Sequence, residues 1–321
     1  MHVARRAALA AIAAVAWAGP VPAQDRPLIA VTAIVEHPAL DATRDGVKEA
    51  LAAEGFVDGE TITFRYESAQ GNSATAVQIA RKFVGEAPAV IVPISTPSAQ
   101  AVVAATGEIP VVFSSVTDPV GAKLVANPEH PGGNVTGMSN MTPMNKHLDL
   151  IREILPELKV LGVVYNPGEV NSRTLVRLLE AEAPARGITV VEAPANRSAE
   201  VQSAAQSLVG RAEAIYVPTD NTVVSAFEAL VQVGRQNKLP VIAGDIDSVP
   251  RGAIAAVGFD YLDVGRQTGR MVARVLRGEK PGDIPVEYAQ TLELAVNPGA
   301  AEAMGVALPE ALVARADIVV K

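Results

Sequence analysis

Polar side chains collect where short apolar runs end. In the N-terminal half these ends are Glu36-His37-Pro38, Ser95-Thr96-Pro97-Ser98 and Ser114-Ser115-Val116-Thr117-Asp118. In the C-terminal half they are Asn166 to Glu169 with Asn171-Ser172, then Thr219-Asp220-Asn221, then Gly244-Asp245-Ile246-Asp247. Hydroxyls and free backbone N–H groups at a helix start accept an anion, helped by the helix dipole. A buried carboxylate pairs a cation. The first half thus offers an anion site and the second a cation site. A solute carrying both charges close together, such as an α-amino acid, satisfies both. Taken singly, each Ser, Thr, Asp or Asn after a strand is an ordinary cap or turn former; their clustering at equivalent places in both halves carries the inference.

No set of residues suggests catalysis. The 321-residue chain has no cysteine, which excludes a thiol nucleophile, a disulfide scaffold, a thiolate zinc site and a lipid-anchored N-terminal cysteine. His37, His130 and His147 are far apart and show no metal-ligand spacing. Asp245-Ile246-Asp247 lacks the rest of a calcium loop. There is no G-x-S-x-G elbow, P-loop or G-x-G-x-x-G after a strand. A non-enzymatic binding protein without metal or cofactor is expected. The sole tryptophan, Trp17, falls in the N-terminal leader, so the rest of the chain lacks the large ring on which sugars usually stack. Tyr165, beside Asn166, is the strand-end aromatic best placed to pack on a flat ligand.

The elements that must position these residues alternate. Leu28–Val35, Thr61–Tyr66, Ala89–Ile94 and Pro110–Ser114 read as strands, with Leu40–Glu54, Ser73–Val84 and Ser98–Thr106 as helices between them. The second half repeats the order, with strands at Val160–Tyr165, Thr189–Glu192, Ala214–Val217 and Pro240–Ala243. Its helices are Ser172–Ala185, Ser198–Val209 and Thr222–Gln236. Glu67 to Thr96 also lies over Glu192 to Asn221 without a gap, with Ser73-Ala74, Val84-Gly85 and Val92-Pro93 recurring as Ser198-Ala199, Val209-Gly210 and Val217-Pro218. Such alternation predicts two similar α/β lobes with parallel sheets, their ligand beyond the carboxyl ends of the strands. The length also suits two domains.

Met1 to Ala23 reads as a secretory leader. Arg5 and Arg6 precede an apolar stretch Ala7–Ala18, too short to span a bilayer, and Val21-Pro22-Ala23 offers small residues before Gln24. The expected protein is exported, soluble and monomeric. A formal charge of −8 opposes nucleic-acid binding.

Ser114 to Gly121, Asn127-Pro128 and Pro131-Gly132-Gly133-Asn134-Val135-Thr136-Gly137 resemble the signature of an ABC-transporter substrate-binding family. These are type I periplasmic binding proteins of the tryptophan/tyrosine-transport kind. Leu292–Asn297 and Ala311–Asp317 are similar to that family's C-terminus. The resemblance implies two doubly wound α/β lobes joined by three crossings near Gly137–Thr142, Ala256–Asp260 and Pro285–Thr291. Residues 24–138 plus 259–285 would form lobe one, and 139–258 plus 286–321 lobe two. Carried over, ligand contacts would be Ser95, Thr96, Ser115 and Asp118 facing Asn171, Ser172, Asp220 and Asp245, with Asn221 beside them and Glu36 and His37 at the mouth. The implied function is capture of a small molecule, an amino acid and possibly an aromatic one, in the periplasm for permease subunits in the inner membrane. A sensing module for a membrane receptor, or a binding protein for another small polar solute, remains the alternative.

Overall fold

The computed structural model describes residues 26–320; the expected leader lies outside the described residues. The chain opens with β1 (Leu28–Ala33), α1 (Pro38–Ala53), β2 (Thr63–Ser68), α2 (Ser73–Gly85), β3 (Val90–Ile94), α3 (Thr96–Ala105), β4 (Val111–Val116) and β5 (Val135–Ser139). It continues with α4 (Met144–Ile154), β6 (Val160–Tyr165), α5 (Val170–Glu182), β7 (Thr189–Pro194), α6 (Val201–Gln206), β8 (Ala214–Val217), α7 (Asn221–Ser225), α8 (Phe227–Asn237), β9 (Val241–Ala243) and β10 (Ala255–Phe259). Helix α9 (Tyr261–Leu276), β11 (Glu287–Tyr288), β12 (Leu292–Val296) and, near the end, β13 (Ile318–Val319) follow.

These strands make two sheets, in the orders β11-β5-β4-β3-β1-β2 and β13-β12-β10-β9-β8-β6-β7. The first is parallel throughout. The second has one antiparallel pair, β10 with β12. Strands such as β3 and β4 are buried along their whole length, as expected when helices cover both faces. Each sheet has its own apolar core. A third, small cluster of Met138, Phe259 and Val264, with Ala289 and Leu292 packed on it, binds the crossings together.

Four expected details change. Glu287 and Tyr288 pair with Met138 and Ser139 in the first sheet, so the boundaries set at 138/139 and 285/286 move outward. Phe259 pairs with Leu292 in the second sheet and leaves lobe one. The single helix expected at Thr222–Gln236 breaks at Ala226, whose φ of −121° and ψ of 30° are not helical. Expected helix Ser198–Val209 is a 3₁₀ turn, Ser198–Glu200, followed by the short α6.

Helix α1 positions part of the site and is itself held by α9. Its buried residues Leu40, Thr43, Gly46, Val47, Ala50 and Leu51 recur at helical spacing. At the centre the two backbones touch. A Cβ on Gly46 would lie 2.1 Å from the Leu262 carbonyl oxygen, and one on Gly265 2.1 Å from that of Thr43. Only glycine permits that approach.

Candidate functional site

The first wall of the cleft is made by strained strand ends. Phe113 faces Gly137 and Val116 faces Ser139, so β4 carries one extra residue there, a bulge. Within it Ser115 has a φ of 53°, and its hydroxyl lies 3.0 Å from Thr43 Oγ1 on α1. Ser95, after β3, sits at φ 78° and ψ 157°, a region ordinarily left to glycine. The Ser95 N–H donates to the Ser114 carbonyl at 2.9 Å. These conformations bring the starts of α1 and α3 to one place. Neither helix has a side-chain cap, and both carry Pro in the first turn. Their first N–H groups have no intrahelical acceptor.

The opposite wall is built the other way, with carboxylates as caps. Asp220 Oδ1 accepts from the Val223 N–H at 2.8 Å, and Oδ2 accepts from the Asn166 N–H at 2.5 Å and the Ser172 hydroxyl at 2.6 Å. Asp245 accepts only from Ser248, from its N–H and its hydroxyl, each at 2.9 Å. A carboxylate has about four lone-pair sites, so Asp245 keeps more acceptor capacity than Asp220. Burial pushes both carboxyls above the usual carboxylate range. At Asp220 the Glu169 charge adds to that effect and its donors oppose it; at Asp245 Ser248 and Arg251 oppose it.

Between the walls lies a small, largely polar cavity. Of the residues singled out in the sequence, His37, Thr96, Ser115, Asn171, Asp220, Asn221 and Asp245 line it. Asn140, from the first crossing, and Tyr261, at the start of α9, also line it, and the Asn140 amide donates to the Tyr261 hydroxyl at 2.9 Å. Four buried polar atoms of the lining have no partner among the described residues: Thr96 Oγ1, His37 Nδ1, Asn140 Oδ1 and Asn171 Oδ1. A buried polar group without a partner costs about 1–3 kcal/mol, so these atoms are available to a polar solute. Burial, helped by Arg251, lowers His37 to about 3, keeping the ring neutral; contact with the Asn221 side chain across the cleft opposes this.

The other expected residues stand apart. Ser172 lies behind the wall and supports Asp220. Ser95 shapes the start of α3 without lining the cavity. Asp118 accepts from the Gly121 N–H at 2.8 Å and makes a long contact, 3.5 Å, with Thr174 of the opposite lobe. Glu36 is exposed outside the cavity, whereas His37, expected at the mouth, is buried in its wall. Tyr165 is correctly read as a strand end, but its hydroxyl donates to Glu192 at the outer strand β7, in a separate surface pocket. It does not line this cavity. Thr117 and Thr219 also line it; they belong to the strand-end clusters but were not chosen as ligand contacts, whereas Asn140, in the first crossing, and Tyr261, opening α9, were not read from the sequence.

A pH effect follows from Asp247, next to this wall. Its Oδ2 is buried without a partner. Burial, then the charges of Asp245 and Asp260, push it up to about 7, against Arg251. A carboxyl raised in the folded state contributes stability that is present below its unfolded value and lost as pH rises through the folded one. Asp247→Asn should therefore leave the melting temperature near wild type at pH 4 and raise it by several degrees at pH 8. Melting curves of both proteins across that range check this; a difference that stays flat with pH contradicts it.

Two α/β lobes, three crossings and a buried polar cavity lined from both sides define a type I periplasmic binding protein. Residues 28–320 match the family of ABC transporter substrate binding proteins, and the chain belongs to that family. It is 42% identical over 269 residues to a tyrosine-binding protein of Clostridioides difficile (strain R20291), covering 84% of this chain and 78% of that one. The ABC domain from Streptococcus pneumoniae in complex with L-Trp superposes with a TM-score of 0.89 at 33% identity, over 92% of this chain and 100% of that one. A ligand-free, open substrate-binding protein with adhesive properties from Clostridium difficile gives 0.69 at 40% identity, over 92% and 99%. The fit is better to the ligand-bound structure despite lower identity.

Proposed function

We propose that this protein captures an aromatic L-α-amino acid between its lobes and delivers it to permease subunits of an ABC importer. It acts in the periplasm as a monomer, after removal of Met1–Ala23. The observation that carries this reading is the opposition of uncapped helix starts, α1 and α3, to carboxylate-capped turns across one buried cavity. The solute's carboxylate would take the Thr96 hydroxyl and the N–H groups of the first turns of α1 and α3. Its ammonium would take Asp245. Ala39, Leu40, Val224 and the Tyr261 ring supply apolar wall for an aromatic side chain. The ligands of the Clostridioides and Streptococcus relatives support that choice. Because the two charges bind opposite lobes, one ligand bridges them and favours closure. The moving bodies would be residues 26–139 with 260–288, and residues 140–259 with 289–320.

The test is a thermal-shift panel on ligand-stripped protein from Gln24 onward. L-Tyr or L-Trp at about a hundred times its Kd should add about 2.7 kcal/mol of stability, a shift of several degrees. A shift with a solute lacking an α-amino acid group, and none with amino acids, would discard the assignment.

A further inference from the structure

Glu169 is a buried carboxylate that stands behind the cavity. It precedes α5 and is 6% exposed. Five donors reach it. Its Oε1 accepts from the Thr222 N–H at 3.0 Å and the Thr222 hydroxyl at 2.8 Å. Its Oε2 accepts from the Asn221 N–H at 3.2 Å, the Asn221 side-chain amide, and the Asn171 side-chain amide at 3.1 Å. Glu169 belongs to the wall of a wider groove outside the inner cavity, whereas Asn171 and Asn221 line the cavity itself.

An ionised carboxylate only accepts hydrogen bonds, while an amide has one donating and one accepting end. Both asparagines must therefore turn their NH₂ groups toward Glu169 and their oxygens away from it. Turning either amide over would set oxygen against oxygen in a buried place. The Thr219 carbonyl, 3.0 Å from Asn171 Nδ2, enforces the same sense. The result is visible in the cavity: Asn171, 3% exposed, presents an Oδ1 with no partner in the protein. With Asn140 Oδ1 also unpartnered and Asp245 in the lining, this part of the wall offers acceptors.

We infer that Glu169 is the positioning residue that makes the cavity select a cationic group, by fixing the amide of Asn171 with its oxygen facing the solute. The inference rests on the amino-acid reading above. Glu169 acts without touching the ligand, so its removal alters the choice between ligands more than the general ability to bind.

The experiment compares each of L-tyrosine and L-tryptophan with its deaminated analogue by calorimetric titration. The proteins are wild type, Glu169→Gln and Asn171→Leu. In Glu169→Gln the carboxylate charge is gone and an NH₂ group can face the Asn171 amide, so the Thr219 carbonyl alone is left to hold its sense and the amide can turn over. The ratio of amino-acid affinity to analogue affinity should fall about tenfold or more, the scale of one charged hydrogen bond, while the analogue's affinity stays within about threefold. Asn171→Leu, which removes the oxygen itself, should lower the same ratio. Equal losses for amino acid and analogue in Glu169→Gln would show a merely structural role and overturn the inference. If Glu169→Gln does not fold, an unchanged ratio in Asn171→Leu overturns it. Wild-type protein that binds an amino acid no better than its analogue overturns it while sparing the ligand class. Wild-type protein that binds neither defeats the amino-acid reading, and this inference with it.

Discussion

Asp245→Asn is expected to weaken amino-acid binding by about 10- to 150-fold, the equivalent of one charge-assisted hydrogen bond of about 1.5–3 kcal/mol. Asp245 is the better of two candidates because Ser248 is its only bonded neighbour. Asp220 is already committed to three donors that hold the Asn166 loop, α5 and α7 together. An asparagine at 245 can still accept from Ser248 through its amide oxygen, so the turn survives. The folded protein also loses a carboxyl that burial disfavours in its charged form. Stability should therefore hold or rise while affinity falls, a combination that damage to the fold does not produce. Titration calorimetry with a melting curve on the same sample checks both halves. An affinity within about twofold of wild type would leave Asp245 a cap and nothing more.

The second large effect is on stability. Gly265→Ala places a Cβ 2.1 Å from the Thr43 carbonyl oxygen and close to the Gly46 Cα. Both obstacles are backbone, so α1 and α9 must separate, and such overpacking costs about 1–3 kcal/mol or more. A melting temperature lower by about 5 °C or more is the expected reading for a chain of this size. Binding should weaken with it, because Ala39 and Leu40 of α1 line the cavity and the Thr43 hydroxyl meets Ser115. Gly85→Ala is the control: nothing lies within 4 Å of its Cβ position, and alanine inside a helix is neutral or favourable. Equal melting temperatures for the two variants would refute the close-contact account.

The fold was legible because its strands are short apolar runs with stops, such as Ala89–Ile94 closed by Ser95, and because the pattern occurs twice. The strand-end residues of the cavity were legible for the same reason, since a parallel sheet delivers them all to one edge. Asn140, in a crossing, and Tyr261, in the first turn of the helix after one, were not, because a crossing has no periodicity to read and their role depends on how the sheets meet. Tyr165 was misplaced for a related reason. A strand end says nothing of which side its side chain takes, and this one reaches outward to Glu192. Glu169 hid behind its own surroundings: as one acid after a strand it resembles a helix cap, and its five donors come largely from residues some fifty positions away.

Neither sheet is made from a continuous stretch of chain. Strand β5 stays an open edge until Glu287 and Tyr288 arrive, and Gly46 waits for Gly265. The second sheet lacks β12 and β13 until residues 292–319 are present. A chain emerging N-terminus first can finish neither half before Glu287 has been made. Pairings so distant in sequence are slow to form. Assembly of both halves is deferred beyond every cavity residue, so a truncation before Glu287 that spares them all would still leave both halves unfinished.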